Sequence, residues 1–494
     1  MATPIPANQA RFTLAEILAA TGGELFRGDV AAVRAVSTDT RAITPGACFV
    51  ALRGEVHDGH AHLAAALDRG ATLAIVEREV DAPAGLAIVR VRDTLAALGD
   101  LARAHTRRWR ALGGRRAVVG ITGSAGKTTT RVAVSALLDR LFPGEIHGTS
   151  GNLNNRVGVP VVLLGLTPQH RVAVVEMGMN VPGEIAELCR IAEPDAGVIT
   201  LIAAAHTEGL GSIDAVAAEK GALSLALRTD GVALGNGDDA RVRAQIERSP
   251  AARRCLYGRA EDAAVRIAAR EPVGMTGSRV TLDRAGSSRG GGAPITFDTP
   301  LLGEAGALAS AAAVAVAEIA LGARVSAELC AEAFARADVG AGAGRLVPRV
   351  FASGLAVIDD TYNANPASTC ASIRAAAEIA RATGRRLVLV LGEMKELGAE
   401  SASGHDEVGR AAAASGAAEV FAVGGGDGPR IAARTVEGGT RAAHADRVDD
   451  VAALVKLAAG ANDLVLVKGS RSIGTERVVA ALAADHEGAG GSPR

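Results

Sequence analysis

The sequence is poor in aromatic residues, and its charges are balanced. Among 494 residues there are eight Phe, two Tyr and one Trp, which are too few rings for the base-stacking platforms that bind single-stranded nucleic acid. The 53 basic and 54 acidic side chains leave a formal net charge of −1, which gives no electrostatic basis for wrapping nucleic acid or coating an anionic membrane. We therefore expect no nucleic-acid partner.

Cysteines and long apolar runs are also scarce. Five cysteines are scattered along the chain: Cys48, Cys189, Cys255, Cys330 and Cys370. They form no CxxC pair or Cys/His cluster, which argues against a structural zinc site, and an odd number without a framework is typical of a reducing compartment. No apolar run reaches the ~18 residues of a membrane span, and the first residues lack the basic-then-apolar pattern of a secretory signal. We expect a cytoplasmic chain without an integral membrane segment.

The sequence is rich in hydrophobic residues, which make up 48% of it in short runs separated by helical stretches. Its length predicts about three domains, and residues 1–112 are expected to form a small mixed α/β domain. Over 113–330, apolar strands such as AVVGIT and VAVVEMG alternate with helices, which predicts a parallel sheet covered on both faces. Over 331–494 the strands LAVIDD, RLVLVLG and DLVLVKG repeat this alternation and predict a second doubly wound domain.

The strongest local motif is AVVGITGSAGKTTT at residues 117–130. An apolar strand, a glycine-rich turn and a lysine that opens a helix are typical of a phosphate-binding loop, whose backbone amides face an anion at the helix N-terminus. Lys127 supplies a charge for the outer phosphates and Thr128 a hydroxyl for Mg²⁺. The motif predicts that nucleotide is bound by Gly123, Ser124, Ala125, Gly126, Lys127, Thr128 and Thr129.

Three further residues, which follow this loop in the chain, are candidates for the same site. Glu176 ends the strand VAVVE, and because carboxylates at the carboxyl ends of parallel strands face the ligand crevice, we interpret it as a Mg²⁺ ligand. His206 follows another apolar strand. Lys220 lies in the apolar helix AVAAEKGALSLAL, where a lysine either extends its charge to solvent or is desolvated and reacts as a neutral amine with CO₂ to give a carbamate. The helix pattern alone leaves both interpretations of Lys220 open.

Taken together, these motifs resemble the Mur ligase family of ATP-dependent amide ligases. The similarity is carried by GSAGKTT, GNLNNRVGVP at 151–160, Glu176, His206, Lys220, DDTYNANPAS at 359–368, STDTR at 37–41 and LGEMKELG at 391–398. The motifs follow the order of the family over most of the chain, which makes the resemblance far more specific than any one of them.

The resemblance implies a UDP-substrate-binding domain (1–112), a central P-loop ATPase-like domain (113–330) and a C-terminal Rossmann-like domain (331–494) that closes on ATP and the amino substrate. The implied enzyme is a monomer that joins D-Ala-D-Ala to UDP-N-acetylmuramoyl-tripeptide through an acyl phosphate, in peptidoglycan precursor synthesis, using ATP and two Mg²⁺ ions. Catalytic roles are implied for Lys127, His206 and Lys220. The implied metal ligands are Thr128, Glu176, His206 and a CO₂-derived carbamate on Lys220.

Further site residues follow from the same resemblance. ATP binding is implied for Arg345, Asp360, Tyr362 and Asn363, with Asp360 at the ribose and Tyr362 stacked on adenine. Substrate binding is implied for Ser37, Thr38, Asp39, Thr40, Arg41, Asn154, Asn155, Asn365, Lys468 and Arg471. A local turn or cap is the alternative interpretation of STDTR and of the Asn154–Asn155 pair, and a solvated loop charge is the alternative for Lys468 and Arg471.

The sequence departs from the family pattern where GEAGALASA at 303–311 replaces a His-Asn…Asn motif, and where Leu201 replaces an asparagine. How adenine is held therefore stays open, as does the third residue of the tripeptide. NANP in place of a DNPR motif favours an uncharged dipeptide over a charged diamino acid. The alternative functions are another Mur ligase, a folylpolyglutamate-synthase-like enzyme and a non-catalytic nucleotide switch.

Overall fold

The computed structural model describes residues 5–54, 57–205, 207–284, 293–337 and 344–486. Its strands form a small two-stranded sheet and three larger sheets of five, nine and six strands. The larger sheets follow one another along the chain, and helices pack against them. This arrangement confirms the predicted fold class, an α/β chain of three parts.

The first of the three larger sheets, with five strands, lies within residues 24–90. This part comprises the strands β1 (Phe12–Thr13), β2 (Glu24–Arg27), β3 (Ala32–Val33), β4 (Val36–Ser37), β5 (Ala47–Val50), β6 (Ala71–Val76) and β7 (Ala87–Arg90), and the helices α1 (Leu14–Thr21), α2 (Leu63–Asp68) and α3 (Thr94–Ala111). The strand order is β2-β7-β6-β5-β4, with β2 antiparallel to β7 and the other neighbours parallel. Asp93 caps α3, the long helix that leads to the second sheet.

The second sheet contains the phosphate loop. Its strands are β8 (Ala117–Thr122), β9 (Ile146–Gly148), β10 (Val172–Glu176), β11 (Ala196–Ile199), β12 (Val232–Asn236), β13 (Arg253–Gly258), β14 (Val265–Val273), β15 (Gly277–Arg284) and β16 (Ile295–Thr299). Its helices are α4 (Lys127–Leu141), α5 (Gly158–Leu164), α6 (Glu184–Ala192), α7 (Thr207–Leu210), α8 (Ile213–Leu225), α9 (Ala240–Glu247), α10 (Gly303–Ala315) and α11 (Ala327–Ala335). The order is β16-β15-β14-β13-β12-β11-β8-β10-β9, so β8 lies between β11 and β10.

The third sheet is covered on both faces, as predicted. It comprises β17 (Val347–Val350), β18 (Ala356–Asp360), β19 (Arg386–Gly392), β20 (Glu419–Val423), β21 (Ala442–Ala445) and β22 (Asp463–Lys468), with α12 (Pro366–Thr383), α13 (Ser401–Ala413), α14 (Gly428–Glu437), α15 (Val448–Ala458) and α16 (Glu476–His486). The order is β17-β18-β22-β19-β20-β21, with β17 antiparallel to β18. Alternate residues of β19 enter different cores, Leu387 and Leu389 on one face and Val388 and Val390 on the other.

The structure adds two features that the sequence analysis did not predict. The parallel strands of the second sheet continue into an antiparallel extension, because β15 pairs antiparallel with both β14 and β16. In addition, α11 spans the predicted boundary at 330/331 and packs against α4 and β16. The division of the chain at 112/113 and 330/331 stays a prediction.

One helix in the described part of the chain is long and apolar enough to cross a membrane by length and composition, Gly303–Ala320. It consists of α10 and a π-helical turn, Val316–Ala320. Within the protein 72% of it is buried, and α10 contacts α4, β14 and α12. We interpret it as a core helix of the second part.

Candidate active site

The phosphate loop joins β8 to α4. Gly123 has a φ of 147°, and a Cβ at this position would lie 2.1 Å from the Thr200 hydroxyl oxygen, so only glycine fits here. The Thr200 hydroxyl donates to the Ala125 carbonyl at 2.6 Å, and the Ser124 amide donates to the Leu201 carbonyl at 2.7 Å. The residues that follow β11 therefore fix the shape of the loop.

Lys127 begins α4, and its ammonium donates to the Gly123 carbonyl at 2.7 Å. Gly126 precedes it with a φ of 83°, and no side chain of the described residues caps the helix. The first amides of α4, including that of half-buried Thr129, are therefore available to an anion, which the helix dipole favours. Burial lowers the pKa of Lys127, Glu176 opposes the decrease and Arg345 adds to it.

Glu176 ends β10 and is 2% exposed. One of its carboxylate oxygens accepts from the Thr128 hydroxyl at 2.9 Å, and the other accepts from the Asn154 amide group at 2.8 Å. Its backbone amide donates to the Thr149 hydroxyl at 2.9 Å. Because β10 lies beside β8, the end of the strand meets the phosphate loop, and the structure brings the two predicted ligands Thr128 and Glu176 into contact.

The oxygens of Thr128 and Glu176 fit Mg²⁺, which typically binds one or two protein carboxylates together with substrate phosphates and water. Among the residues that the structure describes, no group of three His, Cys, Asp or Glu side chains could hold an ion by itself. His206, a further predicted ligand, lies outside the described residues. The donor set therefore suits an ion that arrives with a nucleotide, and the assignment of metal ligands stays a prediction.

Lys220 lies on α8 and is 1% exposed. Burial and the charge of Lys127 lower its pKa well below the ordinary value, while Glu219, Glu184 and Glu176 oppose the decrease. The ammonium does not extend to solvent, so the structure favours the desolvated lysine of the two interpretations. The carbamate itself stays a prediction.

Asn154 and Asn155 have different surroundings. Asn154 contacts the Glu176 carboxylate, whereas the Asn155 side-chain oxygen accepts from the amides of Val157 and Gly158 at 3.2 and 2.8 Å. Asn155 therefore stabilises the start of α5, as the turn interpretation expects. Contact of either residue with the muramoyl group stays a prediction.

The sequence analysis missed Arg131, which lies one helical turn after Lys127 on α4. Its Nε lies 3.5 Å from a carboxylate oxygen of Glu176, and its side chain is 15% exposed. The available signal was its spacing of three residues from Thr128, which places both side chains on one face of the helix. Thr149 and Thr200, also missed, lie two residues before GNLNNRVGVP and directly before Leu201, but a single threonine in these places gives no signal of its own.

The wall opposite the loop comes from the C-terminal part of the chain. The guanidinium carbon of Arg345 lies 3.8 Å from the centre of the Tyr362 ring, a cation–π contact. Burial, and in addition the charge of Arg345, lowers the pKa of both Lys127 and Arg131. Arg345 therefore shares the electrostatic environment of the phosphate loop, although adenine stacking on Tyr362 stays a prediction.

Asp360 and Lys468 form a buried ion pair beneath this wall, with 2.6 Å between Oδ2 and Nζ. The carboxylate of Asp360 also accepts from the Ser372 hydroxyl at 2.6 Å and from the Leu346 amide at 3.2 Å. Lys468 donates in addition to the Asn363 carbonyl at 3.0 Å. The structure thus excludes the interpretation of Lys468 as a solvated loop charge, and ribose binding by Asp360 stays a prediction.

Asn365 connects the two walls. It caps α12, where its side-chain oxygen accepts from the Ser368 amide at 2.9 Å, and its amide group donates to the Ser124 carbonyl of the phosphate loop at 3.3 Å. A second contact, from the Thr207 hydroxyl to the Leu397 carbonyl at 2.8 Å, joins the same two parts of the chain. The predicted nucleotide-binding segments therefore face one cleft.

The side chains of Arg471 and of the STDTR segment make local contacts. Arg471 is exposed, and its nearest charged partner is Glu476 at 3.8 Å. In STDTR, the Ser37 hydroxyl donates to the Asp39 carbonyl at 2.9 Å, and the Asp39 carboxylate accepts from the Arg41 guanidinium at 2.7 to 3.1 Å. Thr40 starts a short 3₁₀ turn, and among the described residues the buried Thr38 hydroxyl has no hydrogen-bond partner. The turn interpretation describes this segment, and its uridine role stays a prediction.

Comparison with known proteins covers most of the chain. Three family models match: the Mur ligase family catalytic domain at 32–106, the Mur ligase middle domain at 121–317 and the Mur ligase glutamate ligase domain at 344–471. The chain is 36% identical to the UDP-N-acetylmuramoyl-tripeptide–D-alanyl-D-alanine ligase of Escherichia coli K12, over 95% of this chain and 98% of the relative.

Solved structures agree with this similarity. A crystal structure of MurF from Acinetobacter baumannii matches with a TM-score of 0.82 and 30% identity, over 98% of this chain and all of that one. A Thermotoga maritima MurF ligase in complex with ADP matches with a TM-score of 0.77 and 25% identity, over 91% of this chain and 97% of that one. The chain belongs to the Mur ligase family.

Proposed function

We propose that the chain is an ATP-dependent ligase that joins D-Ala-D-Ala to UDP-N-acetylmuramoyl-tripeptide in peptidoglycan precursor synthesis. The observation that carries this proposal is the contact of Asn365 with the Ser124 carbonyl at 3.3 Å, because it brings a C-terminal wall onto a phosphate loop that also holds a buried carboxylate. A ligase must hold a nucleotide, an acid and an amine together, and one cleft between two domains provides that arrangement. The identity of 36% to a ligase with this name, over nearly the whole chain, supports the choice of substrates.

The reaction starts with the terminal carboxylate of the tripeptide, which is a poor electrophile. One of its oxygens attacks the γ-phosphorus of ATP, ADP leaves and an acyl phosphate forms. The amine nitrogen of D-Ala-D-Ala then attacks the acyl carbon, phosphate leaves and the nitrogen loses a proton. Phosphoryl transfer between anions depends on positioning and on neutralisation of charge more than on a covalent nucleophile.

The residues of the phosphate loop, Gly123 to Thr129, bind the triphosphate, with Lys127 directed at its outer end. Arg345 and Tyr362 face the loop and bind the nucleoside side with Asn363. Asp360 is proposed for the ribose, although its carboxylate is already held by Ser372 and Lys468.

Thr128 and Glu176 would hold one Mg²⁺, and His206 and Lys220 would hold or position a second. A bound Mg²⁺ neutralises phosphate charge and orients the transferred group. Thr128 and Glu176 themselves keep two oxygens at the phosphate end of the cleft, and Asn154 orients the Glu176 carboxylate by donating to its second oxygen.

Lys220 is proposed to act as a carbamate. The ammonium first loses a proton to solvent, the neutral amine then adds to the carbon of CO₂ and a second proton is released, so a buried cation becomes a buried anion. Burial of the side chain, 1% exposed, and the neighbouring charge of Lys127 both favour the neutral amine that this addition requires. A buried anion is tolerated when it coordinates a metal.

The remaining assignments follow the order of the domains. Ser37, Thr38, Asp39, Thr40 and Arg41 are proposed for the uridine diphosphate end of the substrate. Asn154 and Asn155 are proposed for the muramoyl part, and Asn365, Lys468 and Arg471 for the dipeptide side. We propose that the enzyme is a cytoplasmic monomer.

Phosphate release with purified chain tests this function. The expected result is turnover that requires ATP, Mg²⁺, the UDP-muramoyl-tripeptide and D-Ala-D-Ala together, with single amino acids and folates inactive as replacements. Turnover with a single amino acid would indicate another Mur ligase, and turnover with a folate would indicate a folylpolyglutamate synthase. ATP binding without release under any of these conditions would indicate a nucleotide switch.

A further inference from the structure

The carboxylate of Glu176 is surrounded by donors on both oxygens. Oε1 accepts from Asn154 at 2.8 Å, and Oε2 accepts from Thr128 at 2.9 Å and lies 3.5 Å from Nε of Arg131. Two of these neighbours are neutral and one carries a positive charge. A divalent cation that binds Glu176 repels Arg131, which is the charged one of the three neighbours and makes the longest contact.

Arg131 has an unusual environment for a positive charge. Its side chain is 15% exposed, and among the described residues its Nε is buried without a hydrogen-bond partner. Glu176 is its anionic neighbour, while Arg345 acts on it as a like charge from the opposite wall. The two guanidinium charges exceed the single carboxylate charge here, which favours the binding of a further anion.

We propose that Arg131 is a positioning residue that holds Glu176 in place of the divalent cation and is released to the phosphate end of the nucleotide when that cation binds. The inference rests on the metal role proposed for Glu176. It concerns the exchange of partners at one carboxylate, in which no covalent bond changes.

The exchange couples metal binding to nucleotide binding. A divalent cation that arrives alone displaces Arg131 from Glu176 and leaves a guanidinium beside a doubly charged ion, which is unfavourable. A cation that arrives with a triphosphate brings the anion with which the freed guanidinium pairs. Arg131 thus disfavours the metal by itself and favours the metal–nucleotide complex, and the two effects are parts of one coupling.

The test uses the full-length chain and two binding measurements. Affinity for Mn²⁺ alone is measured by electron paramagnetic resonance, and affinity for the complex of Mn²⁺ with a non-hydrolysable imido analogue of ATP is measured by calorimetry. Arg131→Met and Arg131→Gln remove the charge, and Arg131→Lys retains it. Arg140→Met is the matched control on the same helix, because Arg140 pairs with Glu332 at the surface.

We expect opposite changes in the two measurements. Removal of the charge should tighten binding of Mn²⁺ alone by about tenfold and weaken binding of the Mn²⁺–analogue complex by about tenfold, while Arg131→Lys and Arg140→Met stay close to the wild type. A merely structural role would weaken both, and that result, or no change in either, overturns the inference. Wild-type protein that binds neither probe would overturn the proposed metal site as well.

Discussion

Among the described residues, the Lys127 side chain makes one hydrogen bond, to the Gly123 carbonyl, so its removal should affect ligands far more than folding. We expect Lys127→Ala to lower kcat by at least about 100-fold, because a charge directed at the transferred phosphate is lost. Phosphate release measures the loss, and thermal unfolding by circular dichroism checks that the fold is kept. Lys456→Ala, at a surface lysine paired with Asp485, is the control. Near-normal turnover of Lys127→Ala would contradict the assignment of the loop.

Lys220 offers a chemical test of the carbamate. We expect Lys220→Ala to lower kcat by about 100-fold, since the proposed anionic ligand of the second Mg²⁺ is lost, and acetate to restore part of the activity by filling the space with a carboxylate. Lys220→Arg keeps a long basic side chain but cannot form the carbamate and leaves no space for acetate, so it should be inactive with and without acetate. Phosphate release over a series of acetate concentrations measures the rescue. Full activity of the alanine variant without added acid would rule the carbamate out.

The sequence predicted the site best where one short segment carries the chemistry. The phosphate loop, with Lys127 and Thr128, could be read directly from glycine spacing and a following helix. Thr149 and Thr200 could not be predicted in this way. Each directly follows the end of a strand, and a single threonine in that place belongs to no recognisable pattern. Lys468 was ambiguous for the same reason, since its burial depends on Asp360, which lies 108 residues away in the chain.

Three histidines lie where α3 packs against the end of α5. Nε2 of His105 donates to the Leu166 carbonyl at 2.8 Å, and the rings of His147 and His170 are stacked with 4.8 Å between their centres. Burial lowers the pKa of His105 and His147, and burial, with the charges of His147 and Arg116 in addition, lowers that of His170 to about 4. The folded protein therefore keeps these rings neutral at a pH where the unfolded chain is protonated.

The consequence is a loss of stability in mild acid. The unfolded chain takes up a proton on His170 as the pH falls below 6.5, whereas the folded chain does so near 4, so the free energy of unfolding should fall across that window and be unaffected by this group above it. His170→Asn keeps an acceptor for the Thr167 amide, which donates to Nδ1 of His170 at 3.0 Å, and removes the titration. Urea unfolding at pH 7.5, 6.0 and 5.0 measures the free energy of unfolding, which should fall less steeply with decreasing pH in the variant than in the wild type. The same pH dependence in both proteins would contradict the assignment.

The strands differ in how strongly the sequence marks them. Parallel strands such as β8, β10 and β22 are fully buried and appear as continuous apolar runs, which predicted them directly. The antiparallel β14–β16 extension was missed because its strands mix buried and exposed positions and carry several charges, for example VRIAAREPV. An alternating pattern with charges is a weaker signal than a continuous apolar run.

The relative position of the three parts is the feature that the sequence predicted least. Helix α12 spans the contact: Asn365 at its start meets Ser124 of the loop, 241 residues away. Further along, Glu378 forms an ion pair with Arg270 of β14, and Leu302 packs in the core of the third sheet. Contacts of this kind depend on surfaces that exist only after each sheet has folded, so no local sequence pattern predicts them.

The ion pair of Arg270 with Glu378 should stabilise the observed arrangement of the central and C-terminal parts. The Arg270 side chain is 8% exposed and that of Glu378 is 32% exposed, so Arg270→Met leaves a partly solvated carboxylate without this partner and should cost about 1 kcal/mol in the observed arrangement. We expect Arg270→Met to increase the radius of gyration in small-angle scattering and an ATP analogue with the tripeptide substrate to reverse the increase, because both ligands are proposed to bind across the cleft. Arg279→Met is the control, since Arg279 pairs with Asp298 within the same sheet at a surface where both side chains are about half exposed. An unchanged radius in Arg270→Met, or an equal increase in Arg279→Met, would show that this ion pair does not hold the two parts together.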